Sequence, residues 1–246
     1  MLLEIFDIMP LKNFFDVIFD SANIVEIKVD NEKLSISLLN DSHVAFYSLE
    51  IARMFFGDYE IKDGGESVLV FVEDLYKILK FANKDDMLCL ETNESYLVCK
   101  LEHDNNRRVF ELPLADEDYT SATPPSIDYD GVFDVLLDDL RQPYLDLDKI
   151  VKTDRFKIIT QNQTMSVVAP ADSMTQYNQT IPIDVDCNCN VIVNTSYIND
   201  ILKLNRISNV VTLYLGNGIP LSWNMQSQDE FVKVSGLIAP IIESDD

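Results

Sequence analysis

The sequence predicts an α+β fold built from two similar halves, and three observations predict it. Helical patterns are few, short strands with alternating apolar residues are many, and one helix-then-hairpin unit occurs in both halves of the 246-residue chain. Antiparallel hairpins covered on one face by two helices in each half account for this order. We expect an N-terminal domain over residues 1–113, a connecting loop over 114–130 and a C-terminal domain over 131–246.

The clearest unit begins with a helix predicted over residues 72–84, where apolar residues recur at the helical spacing i, i+3, i+4, i+7. Strands predicted over 87–91 and 96–101 follow, with a polar turn between them. In the second half, a helix predicted over 195–206 has Thr195 or Ser196 as its N-cap. Strands over 210–214 and 219–223 come after it, so the unit is repeated.

The first part of each half also matches, although the loops differ in length. A helix over residues 11–21 precedes strands over 24–29 and 34–38. A helix over 143–153, with Pro143 near its start, precedes strands over 156–160 and 165–168. The segment 114–130 is acidic, contains Pro124 and Pro125 and lacks periodicity, which indicates an extended connector.

Charge is the strongest feature of the composition. The formal net charge is -23, which argues against a broad nucleic-acid surface, because neutralising phosphates requires Lys and Arg. Nine of the 19 basic residues nevertheless fall on or beside the four predicted helices: Lys12, Lys77, Lys80, Lys84, Arg141, Lys149, Lys152, Lys203 and Arg206. If these helices share one surface, it contacts phosphates without reading bases. The alternative is that these side chains only solvate the outer faces of helices.

Signatures of enzymes, metal sites and membrane spans are missing from the sequence. There is no glycine-rich phosphate loop and no Gly-x-Ser-x-Gly motif, and the chain has two histidines. Acidic pairs such as Asp138-Asp139 are expected by chance among 42 acidic residues. Cys187 and Cys189 lack the spacing of a zinc site, so we expect the four cysteines to be reduced and structural. No apolar run reaches the length of a membrane span. We therefore expect no catalytic residues, no cofactor, no metal and no membrane.

Several segments, in their order along the whole chain, resemble the sliding clamps of the proliferating cell nuclear antigen (PCNA) type, including archaeal ones. Their sequences are DSHV at residues 41–44, LYKILK at 75–80, RVFELPL at 108–114, GIPL at 218–221 and LIAPIIE at 237–243, before an acidic end. The chain departs from the family in a first helix with fewer lysines and in a more polar connector.

The resemblance implies a DNA-clamp fold in which each domain places antiparallel sheets outside and two helices on the inner face. It implies a homotrimeric ring around duplex DNA that acts as a polymerase processivity factor. Neighbouring subunits would join by strand pairing at the following residues: Arg108, Val109, Phe110, Tyr177, Gln179 and Ile181.

The resemblance also implies a hydrophobic pocket for short peptides of partner proteins. Its walls would be Leu39, His43, Val44, Ile127, Pro220, Leu237, Ala239 and Pro240. The implied partners are double-stranded DNA without sequence preference, DNA polymerase, a clamp loader and other replication and repair proteins with a clamp-binding motif. The expected location is intracellular, with the DNA.

Two other hypotheses remain open from the sequence. The first keeps the fold without the ring, as a viral-type processivity factor or a clamp-related transcription factor. The second is an acidic interaction scaffold unrelated to DNA. The sequence also leaves open whether a ring would contain one kind of subunit or several.

Overall fold

A computed structural model of the chain describes residues 1–116, 119, 121–170 and 173–242. Residues 117, 118 and 120 of the expected connector, and the acidic end 243–246, lie outside the described residues. The chain forms two compact units, the first from residues 1–123 and 226–234 and the second from 124–225 and 235–246. The expected division at 113 and 131 remains a prediction.

Among its described residues, the first unit contains two α-helices, one short 3-10 helix (Arg53–Phe55) and nine complete strands. The helices are α1 (Met9–Ile18) and α2 (Val72–Lys80). The strands are β1 (Leu2–Ile5), β2 (Ile24–Val29), β3 (Lys33–Leu39), β4 (Ala45–Ala52), β5 (Tyr59–Glu60), β6 (Glu66–Phe71), β7 (Met87–Thr92), β8 (Tyr96–His103) and β9 (Asn106–Pro113).

The strands of the first unit are antiparallel. One sheet has the order β5-β1-β7-β8-β9, and β4, β3, β2 and β6 lie side by side in that order. Alternation along β3 buries Leu34, Ile36 and Leu38 and leaves the residues between them partly exposed, as expected for a sheet with one covered face. Helix α1 packs against α2.

The second unit repeats the order of elements seen in the first. Its helices are α3 (Leu137–Leu145) and α4 (Thr195–Lys203). Its strands are β10 (Gly131–Leu136), β11 (Arg155–Gln161), β12 (Thr164–Val168), β13 (Asn178–Pro182), β14 (Cys189–Asn194), β15 (Val210–Leu215) and β16 (Leu221–Gln226). The last strand, β17 (Val232–Ile238), divides between the two units.

Antiparallel pairing also builds the sheets of the second unit. One sheet has the order β13-β12-β11-β14, and β10 pairs with β15, which pairs with β16. The β11–β12 hairpin turns through Asn162 and Gln163, whose φ angles of 51° and 58° match the two-residue turns that fit the twist of a hairpin. Helix α3 packs against α4, and Trp223 is completely buried.

The predicted α+β class and the four helices are confirmed, but one helix is displaced. The helix expected over residues 143–153 begins at Leu137, contains Pro143 in its interior and continues as a π-helical segment, Asp146–Val151. Asp138 and Asp139 occupy its first turn, where carboxylates stabilise the positive end of the helix dipole. The placement of Pro143 near the helix start was therefore wrong.

Smaller corrections concern helix ends and one strand. Helix α2 ends at Lys80 rather than at residue 84, and α4 ends at Lys203 rather than at 206. The N-cap of α4 is Asn194, whose side-chain oxygen accepts the Ser196 N–H at 2.9 Å, rather than Thr195 or Ser196. Strand β16 begins at Leu221, two residues later than predicted.

Candidate nucleic-acid interface

The exposed basic side chains of α2 are Lys77 and Lys80. Lys77 donates to the Glu73 carboxylate at 2.6 Å, one helical turn away, and this hydrogen bond raises the pKa of Lys77. The ammonium of Lys80 lies 5.4 Å from the ring centre of Tyr76, a cation–π distance. Lys84 is exposed but follows the end of α2, so it does not lie on the helix with Lys77 and Lys80.

Lys12, on α1, forms hydrogen bonds within its own unit that the sequence does not predict. Its ammonium donates to the carbonyl of Lys80 at 3.0 Å and to that of Ala82 at 3.1 Å. These carbonyls belong to the C-terminal end of α2, where backbone acceptors lack helical partners and the dipole favours a positive charge. Lys12 therefore holds the end of α2 to α1. A local sequence pattern does not show this contact, because its partners are about 70 residues away.

The basic residues of the second unit are mixed with acidic ones. Arg141 lies 3.4 Å from Asp138, Lys149 lies 2.6 Å from Asp148, and Lys203 lies 3.2 Å from Asp200. The exposed pairs of Arg141 and Lys149 contribute little to stability, whereas Asp200 is mostly buried. Each pair lowers the net positive charge around its helix.

Two further basic residues follow the helical segments of the second unit. Lys152 is exposed and adopts a left-handed backbone with φ 59°, which ends the π-helical segment. Arg206 is exposed beyond the end of α4 and has no ion pair within the described chain. Among the nine basic residues, the structure brings Arg141 and Arg206 together around one cleft.

The predicted subunit-contact residues lie on two edge strands. Strand β9 is the last strand of its sheet, and there Val109 and Phe110 are 50% and 37% exposed. The Arg108 side chain instead turns inward and binds Asp86. Exposed apolar residues on an open edge are a site for pairing with another chain.

The second edge strand is β13, which ends the four-stranded sheet β13-β12-β11-β14. Ile181 on this strand is buried, and the Tyr177 hydroxyl, just before the strand, donates to Gln179 at 2.8 Å. Burial, together with the nearby Asp146 carboxylate, raises the pKa of Tyr177 to about 12. Tyr177 is therefore neutral at every physiological pH.

The residues predicted for a peptide pocket are distributed over both units. In the first unit, Leu39 is 39% exposed at the end of β3, and His43 follows in a left-handed turn with φ 60°. The Asn40 side chain holds this turn by accepting the Val44 N–H at 2.9 Å. The turn therefore carries an exposed imidazole and follows an exposed apolar side chain.

The second unit supplies the other pocket candidates, and all of them are half-buried: Ile127, Pro220, Leu237, Ala239 and Pro240. Just beyond them, the Ile241 N–H donates to the Ile192 carbonyl at 2.7 Å and anchors the segment that follows β17. These side chains are partly accessible on an ordered backbone, as a docking surface requires.

The described part of the chain holds no group of three or more His, Cys, Asp or Glu side chains suited to a metal ion. Within those residues, every helix is too short or too polar to cross a bilayer.

Comparisons with known proteins agree on one kind of similar protein, the PCNA-type sliding clamp. The family model described as the N-terminal domain of proliferating cell nuclear antigen matches residues 4–121. The DNA polymerase sliding clamp of Methanothermobacter thermautotrophicus is 28% identical over 99% of this chain and 98% of its own length. That of Thermococcus fumicolans is 25% identical over 94% of this chain and 96% of its own.

Solved structures share the fold. The PCNA2–PCNA3 complex of Sulfolobus tokodaii has a TM-score of 0.87 at 19% identity, covering 99% of this chain and 100% of that one. PCNA from Entamoeba histolytica has a TM-score of 0.86 at 16% identity, with 98% of each chain covered. Proteins of this type are non-enzymatic processivity factors of DNA replication. The family match, the relatives and the shared fold together support a sliding clamp of the PCNA type with the α+β clamp fold, a type that is not enzymatic.

Proposed function

We propose that copies of this sliding clamp close into a homotrimeric ring around duplex DNA and tether DNA polymerase to it. The two open edge strands, β9 in the first unit and β13 in the second, carry this proposal. If β9 of one copy pairs with β13 of the next, the contact is head-to-tail, and such contacts form a ring when the rotation closes. A closed ring leaves DNA only by opening, so processivity follows from topology.

The charge distribution supports sliding rather than tight binding. The basic side chains on and beside the helices would face the phosphates, and many of them are already paired with carboxylates, as Lys77 is with Glu73. In a chain of net charge -23, a weak local attraction within a repulsive field suits a ring that must move along DNA. Contact with phosphates alone gives no sequence preference.

Partner recruitment is the second part of the proposal. The exposed Leu39 and the half-buried Leu237 and Pro240, together with the connector over residues 114–130, would accept short hydrophobic peptides from polymerases, a clamp loader and repair enzymes. A loader is required because the chain has no nucleotide-binding loop of its own. The protein would work inside the cell, with the DNA.

The mass of the protein in solution tests the ring. We expect light scattering after size-exclusion chromatography to give three times the chain mass of 28.1 kDa. Phe110→Asp, on the edge strand, should shift this mass to that of one chain. Tyr96→Asp alters a side chain of similar exposure, 40%, on the neighbouring strand β8 and should leave the mass unchanged. A wild-type mass of one chain contradicts the ring and favours a non-ring processivity or transcription factor.

Primer extension tests the link to DNA. With a loader and polymerase, the protein should remain bound to a closed circular template and leave a linear one, because only an open end lets a ring escape. Equal retention on both templates contradicts encirclement.

A further inference from the structure

The first strands of the two units hold matching places, but only one of them has a covered edge. Strand β1 precedes α1 and pairs with β7, and β10 precedes α3 and pairs with β15. The other edge of β1 is covered by β5 and the residues before it, since the Glu4 N–H donates to the Asp58 carbonyl at 2.9 Å. No described strand or loop forms backbone hydrogen bonds to the corresponding edge of β10.

The remaining edge strand of the second unit, β14, is covered by side chain and backbone. The Asn190 N–H donates to the side-chain oxygen of Asn217 at 2.8 Å, and the Ile192 carbonyl accepts the Ile241 N–H at 2.7 Å. The edges of β9 and β13 belong to the proposed subunit contact. Strand β10 therefore presents an edge that neither its own unit nor the proposed ring uses.

The direction of the backbone groups along β10 follows from its pairing with β15. The Leu137 N–H donates to the Asn209 carbonyl at 2.9 Å, and hydrogen bonds alternate along an antiparallel pair. The N–H and C=O groups of Val132, Asp134 and Leu136 therefore point away from β15. Within the described part of the chain, these groups have no hydrogen-bond partner.

The side chains of these three residues lie on one face of the sheet. Val132 is 42% exposed and Leu136 is 50% exposed, and the exposed Asp134 lies between them. The Asp134 carboxylate accepts the Thr212 hydroxyl at 2.6 Å on the side of β15 and has further acceptor positions. An added strand would place its own alternate side chains beside an apolar, an acidic and an apolar residue.

Charge determines what kind of strand fits this edge. Five aspartates and no Lys or Arg lie in residues 124–140: Asp128, Asp130, Asp134, Asp138 and Asp139. Antiparallel pairing of two copies of β10 centred on Asp134 would set two carboxylates opposite each other, which is destabilising. The net charge of -23 also repels a second copy and DNA. A basic segment of another protein suits the edge instead.

We propose that the edge of β10 accepts an extended segment of a partner protein, with Lys or Arg opposite Asp134 and an aliphatic side chain on either side of it. Backbone pairing would provide affinity, and the alternate side chains would provide specificity. This proposal goes beyond the ring and the peptide pocket, because β10 supplies no residue to either. It holds for one chain whether or not the ring closes.

Binding of a synthetic peptide tests the charge pairing. The probe is a fluorescent, end-blocked peptide in which Val, Lys and Val occupy alternate positions between Thr residues, and anisotropy measures its affinity. Asp134→Lys should weaken binding by about tenfold, because like charges replace opposite ones across the strands. Asp63→Lys, at an exposed position of the first unit, should bind the peptide as the wild type does.

A peptide with Glu in place of the Lys provides the reverse test. It should bind Asp134→Lys about tenfold more tightly than it binds the wild type, for the same reason. This gain also shows that the variant is folded. Equal affinities of Asp134→Lys and the wild type for each peptide overturn the inference.

Amide hydrogen exchange followed by NMR tests the backbone pairing. The N–H groups of Val132, Asp134 and Leu136 should exchange rapidly in the free protein and become protected when the Lys peptide binds. Those of Phe133 and Val135, which face β15, should be protected in both states. Binding without protection of the three outward groups would mean attraction between side chains alone and would overturn the inference.

A modified peptide and a dilution series complete the test. Methylation of the peptide nitrogens that face β10 should weaken binding by about tenfold or more, because several backbone hydrogen bonds are lost. Unchanged affinity of the methylated peptide contradicts strand addition. Protection of the outward groups that rises with protein concentration, without peptide, would mean pairing between two copies and would also contradict the proposal.

Discussion

The guanidinium of Arg108, on the edge strand β9, binds the buried carboxylate of Asp86 in the loop between α2 and β7. Asp86 is 1% exposed, and Arg108 also donates to the Phe81 carbonyl at 3.3 Å. The backbone N–H of Asn83 donates to the same carboxylate at 2.9 Å. The Arg108 side chain thus connects the edge strand β9 to the loop after α2. The position of this edge is therefore stabilised by contacts inside the first unit.

Arg108→Ala should destabilise the protein, because it removes the charged partner of a buried carboxylate. We expect a loss of about 2 kcal/mol in the free energy of unfolding, at the lower end for such pairs since the guanidinium is 41% exposed. Urea unfolding measures it. Arg107→Ala removes the exposed neighbour, paired only with Glu102, and should have a clearly smaller effect. Equal losses in the free energy of unfolding for the two variants would show that Arg108 does not stabilise the buried Asp86 carboxylate.

Acid should weaken the same interaction. Burial of Asp86 favours its neutral form, but hydrogen bonds from Asn83 and the charge of Arg108 outweigh burial and lower its pKa below 3.8. Because the folded pKa is the lower one, the stabilisation is complete above pH 3.8 and is lost as pH falls through the folded pKa.

Asp86→Asn should therefore lower the stability of the protein at neutral pH. Between pH 5 and 3, the variant should lose less stability than the wild type does, because its residue 86 does not titrate. Urea unfolding midpoints across this pH range measure both effects. Some dependence should remain, since hydrogen bonds from the Ser227 hydroxyl and the Phe231 N–H lower the pKa of Asp229 as well. Asp85→Asn, at the exposed neighbouring position, should keep the wild-type profile. A steeper acid loss in Asp86→Asn would contradict the assignment.

Lys12→Met should destabilise the protein by about 1 kcal/mol, because two carbonyls at the end of α2 lose a charged donor. Amide hydrogen exchange should localise the effect to the last turn of α2. The matched change Lys77→Met, on the exposed face of the same helix pair, should leave that turn protected. If Lys12→Met instead leaves stability intact and weakens duplex binding, Lys12 is a phosphate contact, as the sequence first suggests.

The four cysteines should resist thiol reagents in the folded protein. All four are buried, and burial, with a smaller contribution from Cys89, raises the pKa of Cys99 to about 12. Since the thiolate is the reactive form, native protein at pH 8 should react with Ellman's reagent only after unfolding, when four thiols appear. Ser95→Cys, in the exposed turn between β7 and β8, provides a reactive control. Rapid labelling of the unmodified protein would refute this.

Periodicity predicted most of the fold because local patterns specify it. The spacing of apolar residues within α2 predicts a helix, and the polar turn at Asn162 predicts a hairpin. Both predictions need only neighbouring residues in the sequence. The start of α3 is not evident from the sequence because Pro143 is typical of a helix start, whereas the acidic first turn at Asp138 and Asp139 marks the true start. A proline at this position removes one backbone donor, and the helix continues into π geometry beyond it.

The site was less predictable because its contacts are distant in sequence. The sequence places Lys77 and Lys84 on one predicted helix, but α2 ends at Lys80, so of these two only Lys77 is helical. Arg141 and Arg206 are 65 positions apart in the chain numbering and share one cleft only after folding. The sequence pattern identifies the basic residues. Tertiary packing determines which of their N–H donors are already bonded within the protein.

The division of β17 affects the order in which the protein can fold during synthesis. Residues 226–234 belong to the first unit, and there the Phe231 carbonyl accepts the Ala52 N–H at 2.8 Å. A ribosome that has finished residue 123 has therefore not yet made all of the first unit. Strand β4 of the nascent N-terminal half stays incompletely paired until almost the whole chain has been synthesised. An unpaired strand edge is prone to aggregation, so this half depends on the rest of the chain, or on chaperones, to avoid it.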